Sequence, residues 1–191
     1  PAVVKAGTVG VRVRLTSISG PGPDGTDGSG EVEDVITSIV ANTDFGDFTS
    51  FPSASSKANG TLRLGALSDS EGAGVTNVTA TGDDLDGTDD EDGVVVPVSV
   101  AQGAAGSLGL TLTNTSGTTA YLNAWIDFND NGSPTDAGEQ IATNTSIVTG
   151  TSNAPLTLNY TVPVTAPLGT VGVRVRLTSV ITPGADGLDG N

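Results

Sequence analysis

The sequence predicts an all-β protein, and three observations lead to this. The chain has 27 glycines and only seven Lys and Arg residues in 191, so good helix formers are few while turn and strand formers are many. Short runs of alternating apolar and polar residues recur between turns rich in Gly, Ser, Asn and Pro. One such run, GTVGVRVRLTS, occurs twice without change, at residues 7–17 and 169–179.

The duplicated run belongs to a longer internal repeat. At the shift that aligns the two copies, 169 − 7 = 162, 18 of the 29 overlapping positions are identical. The repeat unit is therefore about 162 residues, and we expect the chain to be a window from a tandem array. On this prediction, residues 1–40 are the last two strands of a preceding repeat, or a donor hairpin for a neighbouring subunit.

The first strand follows from the alternation in residues 9–17, and EVEDVITSIV predicts a second strand after a Gly- and Pro-rich turn. Glu31 and Glu33 share one face of the second strand, as Arg12 and Arg14 share one face of the first. Cross-strand charge pairing in one hairpin is the simpler interpretation. In the alternative, Glu31, Glu33 or Asp34 binds an ion together with Asp24 and Asp27 in the turn.

The sequence of residues 41–93 is irregular and acidic, and this predicts a loop-rich acidic cover segment. It has three of the four phenylalanines, and its pattern suggests two short strands at most. The aromatic side chains indicate that part of the segment packs against the remainder of the chain.

Residues 94–191 predict a β-sandwich. Strand-like runs occupy residues 94–100, 107–114, 119–128, 140–149, 155–162 and 170–179. With EVEDVITSIV as the last, they make seven strands at the spacing of an immunoglobulin-like fold. Pro97 predicts an edge strand with a break. The sandwich lacks its own final strand in this chain, so we expect covalent repeats or strand exchange to complete it, and both give a filament.

Charge and composition limit the classes of function that the chain could have. The net charge of −15 excludes a surface for nucleic acids or anionic membranes, and we expect neither nucleic-acid binding nor membrane insertion. The absence of Cys and His removes thiolate and imidazole chemistry, so no enzyme is predicted. Residues 64–173 have 13 acidic side chains and no Lys or Arg. Solvated acidic loops or bridging by a divalent cation would relieve this repulsion.

The first candidate metal loop is DFNDNGSPTDAGE, residues 127–139, at the end of a predicted strand. Asp127, Asn129 and Asn131 alternate before Gly132, which matches the first half of an oxygen-rich calcium loop. The acid that would close an EF-hand is one position late, so Asp136 and Glu139 are expected to complete another loop geometry. An ordinary Asn- and Gly-rich turn is the alternative.

The second candidate is the acidic run in residues 81–93, where carboxylate oxygens without nitrogen or sulfur ligands favour Ca²⁺. A solvated acidic linker is the alternative. The predicted ligands from this run and from the first hairpin are Asp83, Asp84, Asp86, Asp89, Asp90, Asp92, Asp24 and Glu31.

A third feature is the pair Tyr121 and Trp125, predicted to point outward from its strand. Aromatic stripes of this kind bind sugars or partner proteins. The alternative is that the segment at residues 41–92 covers them.

These motifs resemble a known family. TDFGDF, LRLG followed by SDSEG, ATGDDLDGTDDEDGV, AYLNAWIDFNDNG with AGEQI, TVPVTAPLGTVGVRVRLTS and GEVEDV look, in that order, like the GEVED domain of large bacterial surface and secreted proteins. The resemblance covers residues 42–191 and, from the preceding copy, 1–40. It implies an extracellular, repeated, non-catalytic module with calcium-binding acidic loops. The usual aromatic residue after GEVED is Val35 here, which concerns packing.

Two functions are therefore expected from the sequence. The first is a structural repeat of an extracellular bacterial filament or giant surface protein, joined to copies of itself and stabilised by Ca²⁺. The alternative is an adhesin module that binds glycans or a surface partner through Tyr121 and Trp125.

Overall fold

Strands are the main regular structure of the computed structural model, which describes residues 7–20, 22–26, 28–39, 42–58, 60–68, 70, 73–82, 91–181 and 183–188. The all-β prediction is confirmed, and the only helical element in this part of the chain is a 3₁₀ turn at Glu91–Gly93. No helix among these residues is long and apolar enough to cross a membrane. The chain divides into two units, Pro1–Ala41 and Asn42–Asn191.

The first unit is a hairpin of two antiparallel strands, β1 (Gly7–Thr16) and β2 (Gly30–Ile39). Its register pairs Arg12 with Asp34 and Leu15 with Glu31. Odd-numbered residues of β1 therefore lie opposite odd-numbered residues of β2, and they share one face of the hairpin because side chains alternate along both strands.

This register corrects the predicted charge pairing. The hairpin forms, but Glu31 and Glu33 lie opposite Leu15 and Val13 and not opposite the arginines. Arg12 instead donates two hydrogen bonds of 2.6 Å to the carboxylate of Asp34.

The described residues of the second unit contain ten strands. They are β3 (Asp44–Phe45), β4 (Ala54–Ser56), β5 (Leu62–Leu64), β6 (Val94–Val95), β7 (Ala105–Asn114), β8 (Ala120–Ile126), β9 (Gln140–Ile147), β10 (Thr151–Thr161), β11 (Val173–Thr178) and β12 (Gly187–Leu188). One sheet has β7 at its centre, paired with β10, β5 and β6, and a second sheet has the order β11-β8-β9. Every pairing within these two sheets is antiparallel.

Both sheets contribute to one hydrophobic core. The buried side chains come from β7, β8, β9 and β11 and from the residue that follows β8 by two; they are Leu108, Leu110, Leu112, Ala120, Leu122, Ile126, Phe128, Ile147 and Leu177. The alternation in β7 and β8 predicts this, since the core side chains of both strands are at even-numbered positions. The predicted seventh strand is not among the described elements of this unit.

The run at residues 94–100 forms a much shorter strand than its valines suggest. Only Val94 and Val95 pair with β7. Pro97 has no N–H to donate to a ladder, and Val98 next to it is fully exposed. The predicted break at Pro97 is thus where regular pairing is already lost.

A third, small sheet has the order β12-β4-β3, in which β12 pairs parallel with β4 and β3 pairs antiparallel with β4. It lies beside the arginines of β11. Arg174 donates to the carbonyl oxygen of Pro52 at 2.6 Å, and Arg176 donates to that of Ser55 at 2.8 Å. These bonds fix residues 52–55 against β11.

Candidate functional site

The loop that joins β8 to β9, residues 127–139, is the candidate site. Its first residue, Asp127, is 1% exposed, and its last, Glu139, is 3% exposed. Main-chain bonds hold both ends, because Asp127 donates to the carbonyl of Gly172 at 3.0 Å and Ile126 donates to that of Glu139 at 2.9 Å. The loop therefore begins and ends on buried carboxylates anchored to the second sheet.

The carboxylate of Asp127 organises the first turn of the loop. It accepts hydrogen bonds from the main-chain N–H groups of Asn131 at 3.2 Å and Gly132 at 2.7 Å. Gly132 has a φ of 81°, and a Cβ there would come within 2.7 Å of the carbonyl oxygen of Ser50. Glycine is required for both reasons, which matches its place in the sequence motif.

Asp136 lies opposite this turn and receives the side chains of two asparagines. The Nδ2 groups of Asn129 and Asn131 each donate to Asp136 Oδ2 at 2.9 Å. These bonds stabilise the ionised carboxylate and lower the pKa of Asp136 below its ordinary value. The five residues predicted from the first motif are thus brought into one loop.

Glu139 differs from Asp127 and Asp136, because one of its carboxylate oxygens is buried without a hydrogen bond to any described residue. Its Oε1 accepts a bond from the N–H of Asn129 at 3.2 Å, whereas its Oε2 is buried with no hydrogen-bond partner in the described part of the chain. Burial raises the pKa of Glu139, and the charges of Asp127 and Asp136 raise it further. An unpaired buried carboxylate oxygen is costly, so this atom favours a cation or a proton.

The donor set fits a hard divalent cation, although the ligands are not already arranged around one. No group of three or more His, Cys, Asp or Glu side chains is placed to hold a metal ion among the residues that the structure describes. The amide groups of Asn129 and Asn131 donate hydrogen bonds to Asp136, which stabilise its charge without cancelling it. If those amides rotated, their oxygens would join the carboxylates in an all-oxygen set of the kind that Ca²⁺ prefers.

The other predicted ligands fall into two groups. Asp83, Asp84, Asp86, Asp89 and Asp90 lie outside the described residues. Asp92 accepts hydrogen bonds from the N–H of Ala66 at 3.1 Å and 3.0 Å, so its carboxylate holds the turn after β5.

In the first unit, the two predicted ligands have other surroundings. Glu31 lies in β2 opposite Leu15, and Asp24 accepts a bond from Arg14 through its main-chain oxygen at 2.9 Å. Asp27 lies outside the described residues. Whether these side chains bind an ion stays a prediction.

The prediction that Tyr121 and Trp125 form an outward-pointing aromatic stripe is wrong. Trp125 is only 3% exposed, and Tyr121 is half-buried. Because Trp125 is not at the surface, it cannot offer the flat apolar face on which a sugar ring would stack.

Sequence reasoning missed the role of the arginine pairs. In the first unit, Arg12 donates to the carbonyl of Pro23, and Arg14 donates to those of Gly22 and Asp24. In the second unit, the arginines bind the loop after β11 in the same way, and the shift of 162 residues maps each acceptor onto its counterpart. The bonds are Arg174 to Ala185, and Arg176 to Gly184 and Asp186. The identical VRVRLT letters in both copies were the available signal.

Residues 121–190 match the model of the GEVED domain family. Searches of curated proteins and of solved structures gave no match. The match runs from the second residue of β8 through β12 and includes the whole candidate loop, and it confirms the resemblance over that segment.

Proposed function

Because residues 121–190 match the GEVED domain family, we propose that the chain is a non-enzymatic structural repeat of an extracellular bacterial filament or giant surface protein. Its units have an immunoglobulin-like seven-stranded plan and follow one another in tandem or by strand exchange. Ca²⁺ in the acidic loops stabilises each unit.

The buried Oε2 of Glu139 is the observation on which the calcium part of the proposal rests. It is an unpaired oxygen in a loop that also contains Asp127 and Asp136. A bound Ca²⁺ would pair this oxygen and neutralise the mutual repulsion of the three carboxylates. Weak affinity is sufficient outside cells, since calcium at a hundred times its dissociation constant adds about 2.7 kcal/mol to stability.

The two arginine-bound loops support the repeat part of the proposal. Copies that are 162 residues apart in sequence make the same side-chain to carbonyl bonds in each unit. A local structure formed twice in one chain is what a repeating architecture requires. Composition also agrees, because a chain without Cys or His lacks the usual nucleophile and base pairs of hydrolases.

The calcium proposal is tested by thermal unfolding of the full chain in chelator and with added Ca²⁺. We expect the wild-type Tm to rise with Ca²⁺ and the rise to be lost in Glu139→Gln, which keeps the size of the side chain and removes its charge. Asp130→Asn is the matched control, because Asp130 lies in the same loop but its side chain is exposed. This variant should keep the full Ca²⁺ response.

Two results would count against this proposal. A wild-type Tm that is equal in chelator and in Ca²⁺ contradicts a stabilising calcium site. Equal Ca²⁺ responses in Glu139→Gln and wild type place the ion elsewhere than the loop at residues 127–139. Electron microscopy of the same samples tests the filament, which should be visible in Ca²⁺ as linear particles.

A further inference from the structure

A groove runs beside β11 in the second unit. Strand β11 is at the edge of its sheet in the described part of the chain, with β8 on one side. A cavity of about 140 Å³ is lined by all five residues from Arg174 to Thr178. Successive side chains point to opposite faces, so a cavity that touches five in a row lies along the strand edge. Residues of β4 and β5 form its other walls.

All the basic side chains of the second unit line this groove. The chain has only seven basic residues, and all four within Asn42–Asn191 line this cavity: Lys57, Arg63, Arg174 and Arg176. Asp44 is the one acid among the described lining residues. In a chain with a net charge of −15, such a groove selects an acidic segment.

Arg174 and Arg63 have no hydrogen bond to a carboxylate among the described residues. The hydrogen bonds of Arg174 end on the carbonyl oxygens of Pro52 and Ala185, although Asp186 and Asp47 are near enough to act on its charge. Burial, aided by the neighbouring Arg176, lowers the pKa of Arg174 to about 10. The Nε of Arg63 is buried without a partner.

The first unit shows which strand pairs with this sequence. Strand β1 has the same residues as the stretch that contains β11, and its partner is β2, with the sequence GEVEDVITSI. There, Asp34 gives Arg12 the two-pronged carboxylate contact that Arg174 does not have. The shift of 162 carries Arg12 onto Arg174 and Val11 onto Val173.

We propose that β2 of a second copy enters the groove and pairs antiparallel with β11, with Asp34 opposite Arg174 and Val35 opposite Val173. This register places Asp34 on the face of β11 that has Arg174 and Arg176, whereas Glu31 and Glu33 lie on the other face, opposite Leu177 and Val175. The inference rests on the proposed joining of copies, and it specifies which segment enters which edge.

The exchange is favoured because the hairpin leaves apolar side chains in water. In β2, Val35 is 52% exposed and Ile36 is 78% exposed, whereas Leu177 in β11 is 9% exposed. A two-stranded hairpin alone is marginal, while a strand added to a packed sheet gains both hydrogen bonds and burial. The exposed Arg12–Asp34 pair is replaced by an equivalent pair at the buried Arg174.

Site-specific cross-linking tests the proposal, since the chain has no cysteine. One sample of the full chain has Val35→Cys and another has Val173→Cys; they are mixed in Ca²⁺, refolded together and treated with a short bismaleimide. We expect a covalent dimer from this mixture. The dimer should be lost when Val173→Cys is replaced by Val164→Cys, a surface valine that is 75% exposed. Adding Asp34→Asn to the Val35→Cys chain should weaken the dimer band.

The outcomes separate this inference from the proposal it rests on. If linear particles form but the Val35→Cys chain does not cross-link to the Val173→Cys chain, the proposed position of β2 beside β11 is wrong, while end-to-end joining of copies is retained. The link without longer particles supports the placement and contradicts the filament. Neither link nor particles overturns both. A double variant that links only within single chains, at a dilution where no dimer forms, overturns the second copy as the occupant.

Discussion

At the scale of single residues, the loop at residues 127–139 depends on Gly132 for two physical reasons. Its φ of 81° is unfavourable for other residues, and a Cβ would clash with the carbonyl oxygen of Ser50. We therefore predict that Gly132→Ala lowers the free energy of unfolding by more than the roughly 1 kcal/mol expected for φ alone. Urea unfolding measures the difference.

Gly138→Ala is the control for that prediction. Gly138 has a similar φ of 90°, but no atom lies within 4 Å of the point that the Cβ of an alanine would occupy there. It should show the conformational cost without the steric one. Equal losses in the two variants would contradict the packing of Gly132 against Ser50.

The buried carboxyl of Glu139 makes a second residue-scale prediction, on pH. Its pKa is raised above the ordinary value of 4.5, so the folded protein holds this proton more tightly than the unfolded chain does. Stability from this group is present below pH 4.5 and is lost as the pH rises through the raised pKa. In chelator, Glu139→Gln should therefore become more stable relative to wild type as the pH rises.

That comparison is made by urea unfolding at a series of pH values in chelator. The difference between variant and wild type isolates Glu139, because the other acids titrate in both proteins. A difference that is constant with pH, or that shrinks as the pH rises, would show that the pKa of this carboxyl is not raised by burial.

At the scale of elements, the hairpin shows what sequence patterns can and cannot predict. Alternation identifies β1, because a half-buried strand needs period two, and the run EVEDVITSIV after a Gly- and Pro-rich turn identifies β2. The pattern could not give the register, which depends on how many residues the turn uses. The pattern alone therefore pairs Glu31 and Glu33 with the arginines, whereas in the structure Asp34 is the residue that meets Arg12.

The register predicts different effects for two neighbouring acids. Asp34→Asn should speed amide hydrogen exchange in β1 and β2, because it removes the charged partner of Arg12. Glu33→Gln should have little effect, because Glu33 lies opposite Val13. Hydrogen exchange read by NMR distinguishes them. Faster exchange from Glu33→Gln alone would mean that the strands pair in another register.

The candidate loop was predictable for a different reason from the strands. Asp127, Asn129, Asn131 and Gly132 are close in sequence, so their spacing alone determines that they share one turn. The groove beside β11 was not predictable, because Lys57 and Arg176 are far apart along the chain and meet only when the sheets pack. The burial of Trp125 likewise depends on tertiary contacts, which strand periodicity does not contain.

At the scale of the whole molecule, a net charge of −15 must oppose folding whether or not calcium binds. Any salt screens this repulsion, so a rise in Tm with Ca²⁺ is not by itself evidence for a site. The loop predicts more than screening, because the unpaired Oε2 of Glu139 is buried and would be paired by an ion bound inside the loop, not by the diffuse ions of the solvent.

The chain should therefore be stabilised by Ca²⁺ beyond the effect of NaCl at equal ionic strength, with Mg²⁺ in between. Mg²⁺ requires a smaller octahedral shell and loses its water reluctantly, which a crowded loop of carboxylates and amides does not suit. Thermal unfolding in the three salts measures the order. If all three give the same Tm at equal ionic strength, the acidic loops respond only to screening, and the stabilising role of calcium in the repeat is excluded.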